Sequence, residues 1–259
     1  MKQRSTKGGK KNAAPSGKGF GSTPVAKSPP PAKEGSRSSP NPSKAFSTSS
    51  TTADARRVDI DLGRGKSIAV MLPSLDDDPD EAALESLSTT ELQDKFGQLT
   101  GAGDIVWPAG LALTRMLAHC PSFVADKTVL ELGSGLGAVG LTAAQAGAKS
   151  VVLTDYDADV LALAAAGARQ NGVDARVATE RLDWSLASAR TPDGGPFDVV
   201  VGADILYDRD NAHNIARLLP QLLSAEDARC LIADQTQWPW RAEFEAVCAK
   251  GGLAVAQVA

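Results

Sequence analysis

From Val106 onward, short apolar runs alternate with segments in which apolar residues recur every three or four positions. The short runs predict buried strands, and the longer spacing predicts helices with one apolar face. Strands are expected near 128–132, 150–154, 176–181, 197–203, 229–234 and 253–258, and helices near 138–147, 157–171, 210–224 and 240–250. This alternation is typical of a doubly wound α/β fold on a mostly parallel sheet.

A different pattern precedes these repeats. Apolar and polar residues alternate over 58–62 and again over 67–72, and the four residues between these runs include two glycines. Alternation with period two indicates strands, and glycines between two such runs favour a tight turn. The sequence therefore predicts a β-hairpin at the entry to the fold.

The first 57 residues show neither pattern and are rich in Ser, Pro, Gly and Lys. They carry twelve Lys or Arg and two acids, a net charge of +10, so the remainder carries −14 to give the total of −4. Such a segment cannot bury enough apolar surface to offset its chain entropy. We predict a disordered basic tail over 1–57 and one folded domain over 58–259, with an organelle transit peptide as the alternative for the tail.

Composition also limits the partners. Three widely spaced cysteines and two histidines give no metal-ligand spacing, so we expect no metal and a reducing compartment. No apolar run reaches the length of a membrane span, and the acidic body offers no basic face for specific nucleic acid binding. We expect a monomer in the cytoplasm, with a plastid or mitochondrion as the alternative location.

The first candidate for chemistry is a loop of acid and glycine that follows a predicted strand. It consists of Glu131, Leu132, Gly133, Ser134, Gly135, Leu136 and Gly137. Glycines let a ligand approach the backbone, and the start of the next helix presents N–H groups. Residues 135–140 also fit the G-x-G-x-x-G pattern, so a dinucleotide-binding domain stays open as an alternative.

Acids and an aromatic residue follow the next two predicted strands. Asp155 lies about twenty residues beyond the glycines, where a carboxylate can accept both hydroxyls of an adenosine ribose. Trp184 can pack on an adenine ring, and Asp183 can accept a hydrogen bond from the exocyclic amine. These positions predict a nucleoside site at the carboxyl end of the sheet. Asp155 could instead cap the helix that follows it.

Two further motifs lie before and after those already described. Residues 103–109 place Trp107 before a helix, and Asp204, Ile205, Leu206 and Tyr207 form a D-x-x-Y sequence after the fourth predicted strand. With the glycine loop and the nucleoside residues, these motifs resemble the seven-β-strand protein-lysine methyltransferases of the METTL21 group. The resemblance covers about residues 58–259.

The resemblance implies S-adenosyl-L-methionine as the cofactor and a lysine side chain of a protein as the methyl acceptor. It implies that Trp107 contacts the cofactor, that residues 131–137 bind its methionine part and that Ala203 lines its site. Asp155 and Trp184 match the family's ribose and adenine positions. Packing in the core is the competing interpretation of Trp107, and also of Trp238 and Trp240, which lie near the end of the sequence.

For catalysis we expect Asp204 to orient the incoming amine and Tyr207 to shape the slot that receives it. The competing interpretation is an ordinary loop acid and a partly buried phenol. A small amine or a histidine side chain could be the acceptor with the same cofactor motifs. An oxidoreductase using NAD is less favoured, because no residue pattern for hydride chemistry accompanies the glycines.

A non-catalytic binding module is the alternative from another class. The sheet of the family closes with a final antiparallel strand, and the sequence ends at Val258 and Ala259 without residues for it. We therefore expect that the final strand is missing. A dimer contact or the hairpin at 58–72 could cover the exposed edge instead.

Overall fold

The computed structural model describes residues 55–73, 106–186, 189–224, 227–235 and 238–257. The predicted tail falls outside these residues except at its end. There Arg56 and Arg57, which we assigned to the tail, already belong to the first strand. No helix in the described ranges is both long and apolar enough to cross a membrane.

The entry hairpin is confirmed. Its strands are β1 (Arg56–Gly63) and β2 (Lys66–Leu72), which pair antiparallel with Val58 opposite Val70. Gly63, Arg64 and Gly65 all have positive φ, which explains why glycine occupies two of these three turn positions. The hairpin forms a two-stranded sheet of its own, so it does not cover an edge of the main sheet.

Within the part of the chain that the structure describes, the main sheet has five parallel strands in the order β5-β4-β3-β6-β7. They are β3 (Thr128–Leu132), β4 (Ser150–Asp155), β5 (Val177–Arg181), β6 (Val199–Ala203) and β7 (Arg229–Ala233). The chain runs outward from β3 to β5 and then returns to β6 on the other side of β3. This is the strand order of a doubly wound sheet, and its switch point lies between the carboxyl ends of β3 and β6.

Helices cover both faces of the sheet. They are α1 (Pro108–His119), α2 (Ala138–Gln145), α3 (Ala158–Gln170), α4 (Arg209–Leu222) and α5 (Arg241–Lys250). Val129 of β3 packs in one core with α1, α2 and α3, whereas its neighbours Leu130 and Leu132 pack in a second core with α4 and α5. Successive strand residues point to opposite faces, so the continuous apolar run of β3 serves both cores.

The hairpin supports the glycine loop from behind. Val70 and Met71 of β2 pack against Leu136 of the loop and Ala138 at the start of α2. The side-chain amide of Asn171 holds β2 in place, because it accepts a hydrogen bond from Ala69 N at 3.0 Å and donates one to Ala69 O at 2.7 Å. The loop therefore lies between the main sheet and a second, smaller sheet.

The strand predicted over 253–258 is wrong for residues 253–257, and residue 258 lies outside the described part of the chain. Leu253 packs against the second core, but the residues from 254 to 257 are exposed and bury no apolar face. A strand also needs a hydrogen-bonding partner. Among the described strands, none pairs with the outer edge of β7, so this segment has no ladder to join.

Candidate functional site

The predicted site residues come together at the carboxyl edge of the sheet. Glu131, Asp155 and Ala203 lie at or near the ends of β3, β4 and β6, and the loop after β5 carries Asp183 and Trp184. In open α/β sheets a ligand binds outside this edge, at the switch point. The structure therefore brings the residues from four separate segments to the place where this fold binds ligands.

The glycine loop takes a backbone shape that side chains oppose. Gly133, Gly135 and Gly137 have φ values of 61°, 50° and 80°. A Cβ atom added to Gly133 would lie 2.9 Å from Cη2 of Trp184 and 2.9 Å from Cγ2 of Ile205. Such a distance is far inside ordinary carbon contact, so Gly133 is required both for its φ and for its space.

Glu131 lies behind the loop and is almost fully buried, with 3% of its surface exposed. Its Oε2 accepts a hydrogen bond from Gly140 N at 2.8 Å, in the first turn of α2. Burial raises the pKa of Glu131 to about 8, and the nearby Asp155 carboxylate adds to the rise, whereas the Gly140 N–H opposes it. A cation bound close to this carboxyl would stabilise its charged form.

Asp155 ties the glycine loop to the end of β4. Its Oδ2 accepts from Gly135 N at 3.0 Å, and its Oδ1 accepts from Asp157 N at 3.1 Å. Burial raises the pKa of Asp155, and the N–H of Gly135 works against that rise. The N-cap of α3 is Asp157, which accepts from Asp159 N, so the competing interpretation of Asp155 as this cap is wrong.

Ser134 presents an unusual side chain. Its backbone N–H donates to Thr154 O at 2.8 Å, but its hydroxyl oxygen is buried and finds no hydrogen-bond partner among the described residues. Buried polar groups are nearly always paired. The Ser134 hydroxyl is therefore available to a polar group of a ligand bound at the glycine loop.

Trp184 and Tyr207 line the same small pocket. The pocket has a volume of about 190 Å³, and its walls are formed by Tyr156, Asp183, Trp184, Ser185, Tyr207 and Asn211. The indole Nε1 of Trp184 donates to Asn211 Oδ1 at 3.1 Å, and Asn211 lines the pocket together with Tyr207. Ligand pockets usually measure about 300–1,000 Å³, so this one has room for a single ring or side chain rather than a whole nucleoside.

Asp183 and Tyr207 differ in exposure within this pocket. The Oδ1 of Asp183 accepts from both N and Oγ of Ser185, at 2.9 and 2.5 Å, which fixes the turn. Tyr207 is half exposed, and burial of its other half raises the pKa of its phenol, with nearby acids adding to the effect. The ring of Tyr207 is thus available to a ligand from the solvent side.

Asp204 is not among the residues that line that pocket. Its backbone has a φ of 52°, uncommon for a residue with a side chain, and its N–H donates to Ala233 O at 2.9 Å. Its Oδ2 accepts from Ala109 N at 2.9 Å, and its Oδ1 accepts from Gln235 Nε2 at 3.4 Å. Burial raises the pKa of Asp204, and the N–H of Ala109 opposes this. The carboxylate thus caps α1, the helix that Trp107 precedes.

Trp107 is half-buried at the N-cap position of α1, where its side chain makes no cap hydrogen bond to the helix. Because the Asp204 carboxylate supplies the missing acceptor, the loop after β6 and the start of α1 hold each other in place. Ala203, the last residue of β6, lies beside this contact and pairs with Ala233 of β7.

Comparison with known proteins places the chain in a family. Residues 86–244, more than half of the chain, match the family described as lysine methyltransferase. The chain belongs to this lysine methyltransferase family. The resemblance to the METTL21 group is confirmed, because Protein N-lysine methyltransferase METTL21A of Danio rerio is 32% identical over 129 residues, which are 49% of this chain and 58% of that protein.

Two other relatives carry related names. The Electron transfer flavoprotein beta subunit lysine methyltransferase of Rattus norvegicus is 33% identical over 140 residues, covering 54% of this chain and 51% of that protein. The Protein-lysine N-methyltransferase EEF2KMT of Mus musculus is 31% identical over 132 residues, covering 46% and 39%. The chain thus spans about half the length of the curated relatives it matches.

The residues at the edge fit S-adenosylmethionine, the cofactor of this class of methyltransferase. The unpaired Ser134 hydroxyl and the two buried carboxyls, Glu131 and Asp155, provide partners for polar and cationic groups of that molecule. Trp184 and Tyr156 provide ring faces at the mouth of the site. Within the described ranges, no group of three or more His, Cys, Asp or Glu is arranged to hold a metal ion.

Several residues of the site escaped the sequence analysis. Tyr156 follows Asp155 directly, and Asn211 lies four positions after Tyr207, in the first turn of α4. Asp234 stands at the carboxyl end of β7, the same kind of position that singled out Asp155 and Asp204. The rule that drew attention to those two acids would have identified Asp234 as well.

Proposed function

We propose that this chain transfers a methyl group from S-adenosylmethionine to the side-chain amine of a lysine in a protein. The observation that carries the proposal is the crevice at the switch point. On one side stands the glycine loop with an unpaired buried hydroxyl and two buried carboxyls, and on the other stands the loop of Asp204 and Tyr207. Membership of the lysine methyltransferase family supports the same proposal.

When bound, S-adenosylmethionine supplies a methyl group on a positively charged sulfur. The amine nitrogen forms a bond to this carbon as the carbon–sulfur bond breaks, and the electron pair of that bond stays on the sulfur. The lysine ammonium first releases one proton to water, and the neutral amine that attacks becomes a methylated ammonium ion. No group of the chain has to protonate the leaving sulfur, so its residues act by holding the amine in line and excluding water.

The protonation state of the acceptor sets what the residues must do. A lysine amine has an ordinary pKa of about 10.4, and only its neutral form can attack. Burial between the rings of Tyr207 and Tyr156 lowers the pKa of an amine by removing water from its charged form. The Asp204 carboxylate favours the charged form, but it can accept an amine N–H beside the Ala109 N–H that it already binds and so orient the nitrogen.

The relatives suggest a first acceptor to test. The rat relative is named for the beta subunit of electron transfer flavoprotein, so that subunit is a defined acceptor to test. The full chain is incubated with tritiated S-adenosylmethionine and the purified subunit, and separately with total lysate protein. The labelled protein is then hydrolysed to amino acids. Methylated lysine is the expected product. Label found only in methylhistidine would identify a histidine side chain as the acceptor, and label found only in small molecules would identify a small amine.

A non-catalytic binding module is the second candidate, favoured by one observation. Within the described strands, the outer edge of β7 is unpaired, and residues 253–257 do not extend the sheet. Calorimetry with S-adenosylhomocysteine and the transfer assay together separate the two, because a module of this kind binds the product without transferring label to either acceptor. A thermal-shift comparison with NAD tests the oxidoreductase alternative, which predicts stabilisation by NAD instead.

We further propose that the chain acts as a monomer in the cytoplasm, without specific contacts to nucleic acid or to a membrane. The net charge of −14 over residues 58–259 supports the part of this proposal that concerns nucleic acid and membranes. Sequencing the N-terminus of the protein purified from cells tests the location. An N-terminus that begins near residue 57 would indicate import into a plastid or mitochondrion.

A further inference from the structure

The backbone of Leu206 is held from both sides by one neighbouring segment. Its N–H donates to Asp234 Oδ2 at 2.7 Å, and its carbonyl oxygen accepts from Trp240 Nε1 at 2.6 Å. Leu206 stands between Asp204 and Tyr207 in the D-x-x-Y sequence. Asp234 and Trp240 both lie between the end of β7 and the start of α5.

These two partners are themselves fixed. The Oδ1 of Asp234 accepts from Trp238 Nε1 at 2.7 Å and from Gln235 N at 2.8 Å. The rings of Trp238 and Trp240 stack with their centroids 5.4 Å apart and their planes 12° from parallel. One carboxylate thus receives donors from three residues, and the two indoles are locked to each other.

The loop after β6 needs such support from outside. Asp204 has a positive φ, and residues 204–207 form no regular element with repeating hydrogen bonds. Backbone in a sparsely populated conformation persists only where surrounding contacts hold it. Tyr207 is half exposed and follows directly on Leu206, so the place of its ring depends on where the Leu206 peptide groups are held.

We propose that Asp234 and Trp240 are positioning residues for the D-x-x-Y loop. They fix both polar groups of the Leu206 backbone and thereby set where Tyr207 stands relative to Trp184 and to an incoming amine. The effect on methyl transfer rests on the proposed function, whereas the effect on the loop does not.

Simple packing is the competing explanation, because Trp238 and Trp240 also contact the core that contains α4 and α5. Two variants separate the explanations. Asp234→Asn keeps the size of the side chain but faces one of the N–H donors with its own amide N–H groups, and Trp240→Phe keeps an aromatic ring while removing the donor to Leu206 O. Glu243→Gln is the matched control, because Glu243 contacts Arg209 and His213 between the same two helices without reaching the loop.

The first readout is amide hydrogen exchange of the full chain, resolved at Leu206 and Tyr207 by NMR. We expect Asp234→Asn to speed exchange at Leu206 about tenfold, in keeping with the loss of one hydrogen bond to a charged acceptor. Trp240→Phe should speed exchange at Tyr207 and Asp208, and Glu243→Gln should change none of these rates. Unchanged exchange in both test variants would overturn the proposal, and so would an equal rise throughout α4 and α5, which packing alone predicts.

The second readout is methyl transfer into total lysate protein at saturating tritiated S-adenosylmethionine. We expect both test variants to lose about tenfold in rate while their affinity for S-adenosylhomocysteine stays within about threefold. A normal rate in a variant whose loop exchanges faster would show that the contacts do not position Tyr207 for the reaction. Absence of transfer by the unmodified chain would contradict the proposed function instead, and the exchange rates would still test the contacts at Leu206.

Discussion

The glycine loop after β3 and the D-x-x-Y loop after β6 lie on the two sides of the switch point, yet they are held in different ways. The glycine loop keeps its shape through its own positive-φ residues and through Glu131 and Asp155, which lie at the ends of β3 and β4. The loop after β6 depends on distant contacts to Ala109, Asp234 and Trp240.

Because the two loops are held in different ways, they should respond differently to substitution. A loop whose shape comes mainly from its own glycines appears as one contiguous motif and tolerates little change inside it. A loop stabilised by other segments tolerates more change within itself, but it is sensitive to substitutions 28 or more positions away. Substitutions on the two sides should therefore separate cofactor binding from transfer, and the following predictions test that separation.

The largest effect should come from Glu131 and should depend on pH. Its pKa in the folded protein is about 8 against an ordinary value near 4.5, so the folded state binds a proton that the unfolded state releases. The contribution of Glu131 to stability is then fully present below pH 4.5 and is lost as the pH rises from 4.5 to 8. Glu131→Gln, which stays neutral and keeps an acceptor for Gly140 N, should be more stable than the unmodified chain by about 5 kcal/mol at pH 9.

Denaturant unfolding of the ligand-free chain at pH 5, 7 and 9 measures this difference. The two proteins should be nearly equal at pH 5 and should diverge toward pH 9. Glu243→Gln is the control, since Arg209 and His213 hold the pKa of that exposed carboxyl below its usual range. A difference between Glu131→Gln and the unmodified chain that does not change with pH would contradict the buried, protonated state of Glu131.

Gly133→Ala should have the next largest effect, on cofactor binding. The substitution forces a side chain into a positive φ and against Trp184 and Ile205 at 2.9 Å. We expect affinity for S-adenosylhomocysteine to fall by about 100-fold, as two or more kcal/mol of strain and displaced packing would produce. Calorimetry measures this directly.

Gly172→Ala is a matched control for the same backbone strain. Gly172 has a φ of 66°, but a Cβ atom there would meet no other atom within 4 Å. It should lower stability by about 1 kcal/mol and leave the affinity unchanged. Equal losses of affinity in both variants would mean that the crowding at Gly133 has no special importance for the ligand.

On the other side of the crevice, Asp204→Asn and Tyr207→Phe should slow transfer rather than weaken binding. We expect a loss of about tenfold to 100-fold in rate for Asp204→Asn, which removes the charge that orients the amine, and about tenfold for Tyr207→Phe. Single-turnover transfer and calorimetry with S-adenosylhomocysteine measure the two effects separately. If both variants bound the cofactor product and transferred methyl at the full rate, the roles proposed for these side chains would be wrong.

The smallest effect should come from Trp184, which lines the small pocket together with Tyr207 and Asn211. Trp184→Phe removes the Nε1 donor to Asn211 and part of the ring beside Gly133. We expect affinity for S-adenosylhomocysteine to fall about threefold to tenfold, from the loss of one hydrogen bond and some packing. Asn211→Ala removes the same hydrogen bond with the ring intact, so it should cost less affinity. A larger loss in Asn211→Ala would show that Asn211 acts through Tyr207 instead.

The fold could be predicted largely from local pattern. Strands β3, β4 and β7 and the helices between them fall within one or two residues of their predicted bounds, because each is a contiguous apolar run or stripe. The strand at 253–258 was predicted from the same kind of run and is wrong over 253–257, because a strand at the edge of a sheet depends on a neighbour that local pattern cannot supply.

The doubly wound fold, the glycine loop and the family of this protein could all be predicted from the sequence alone. The reason is that the spacing of apolar residues, the positions of glycines and the acids at strand ends are local properties. Each is set by backbone sterics and side-chain burial within a few residues. The folded structure was needed to see that Asp204 caps α1, that Trp184 donates to Asn211, and that Asp234 and Trp240 hold Leu206. These contacts join residues that are far apart in the chain, and their geometry exists only once the sheet has brought its strand ends together.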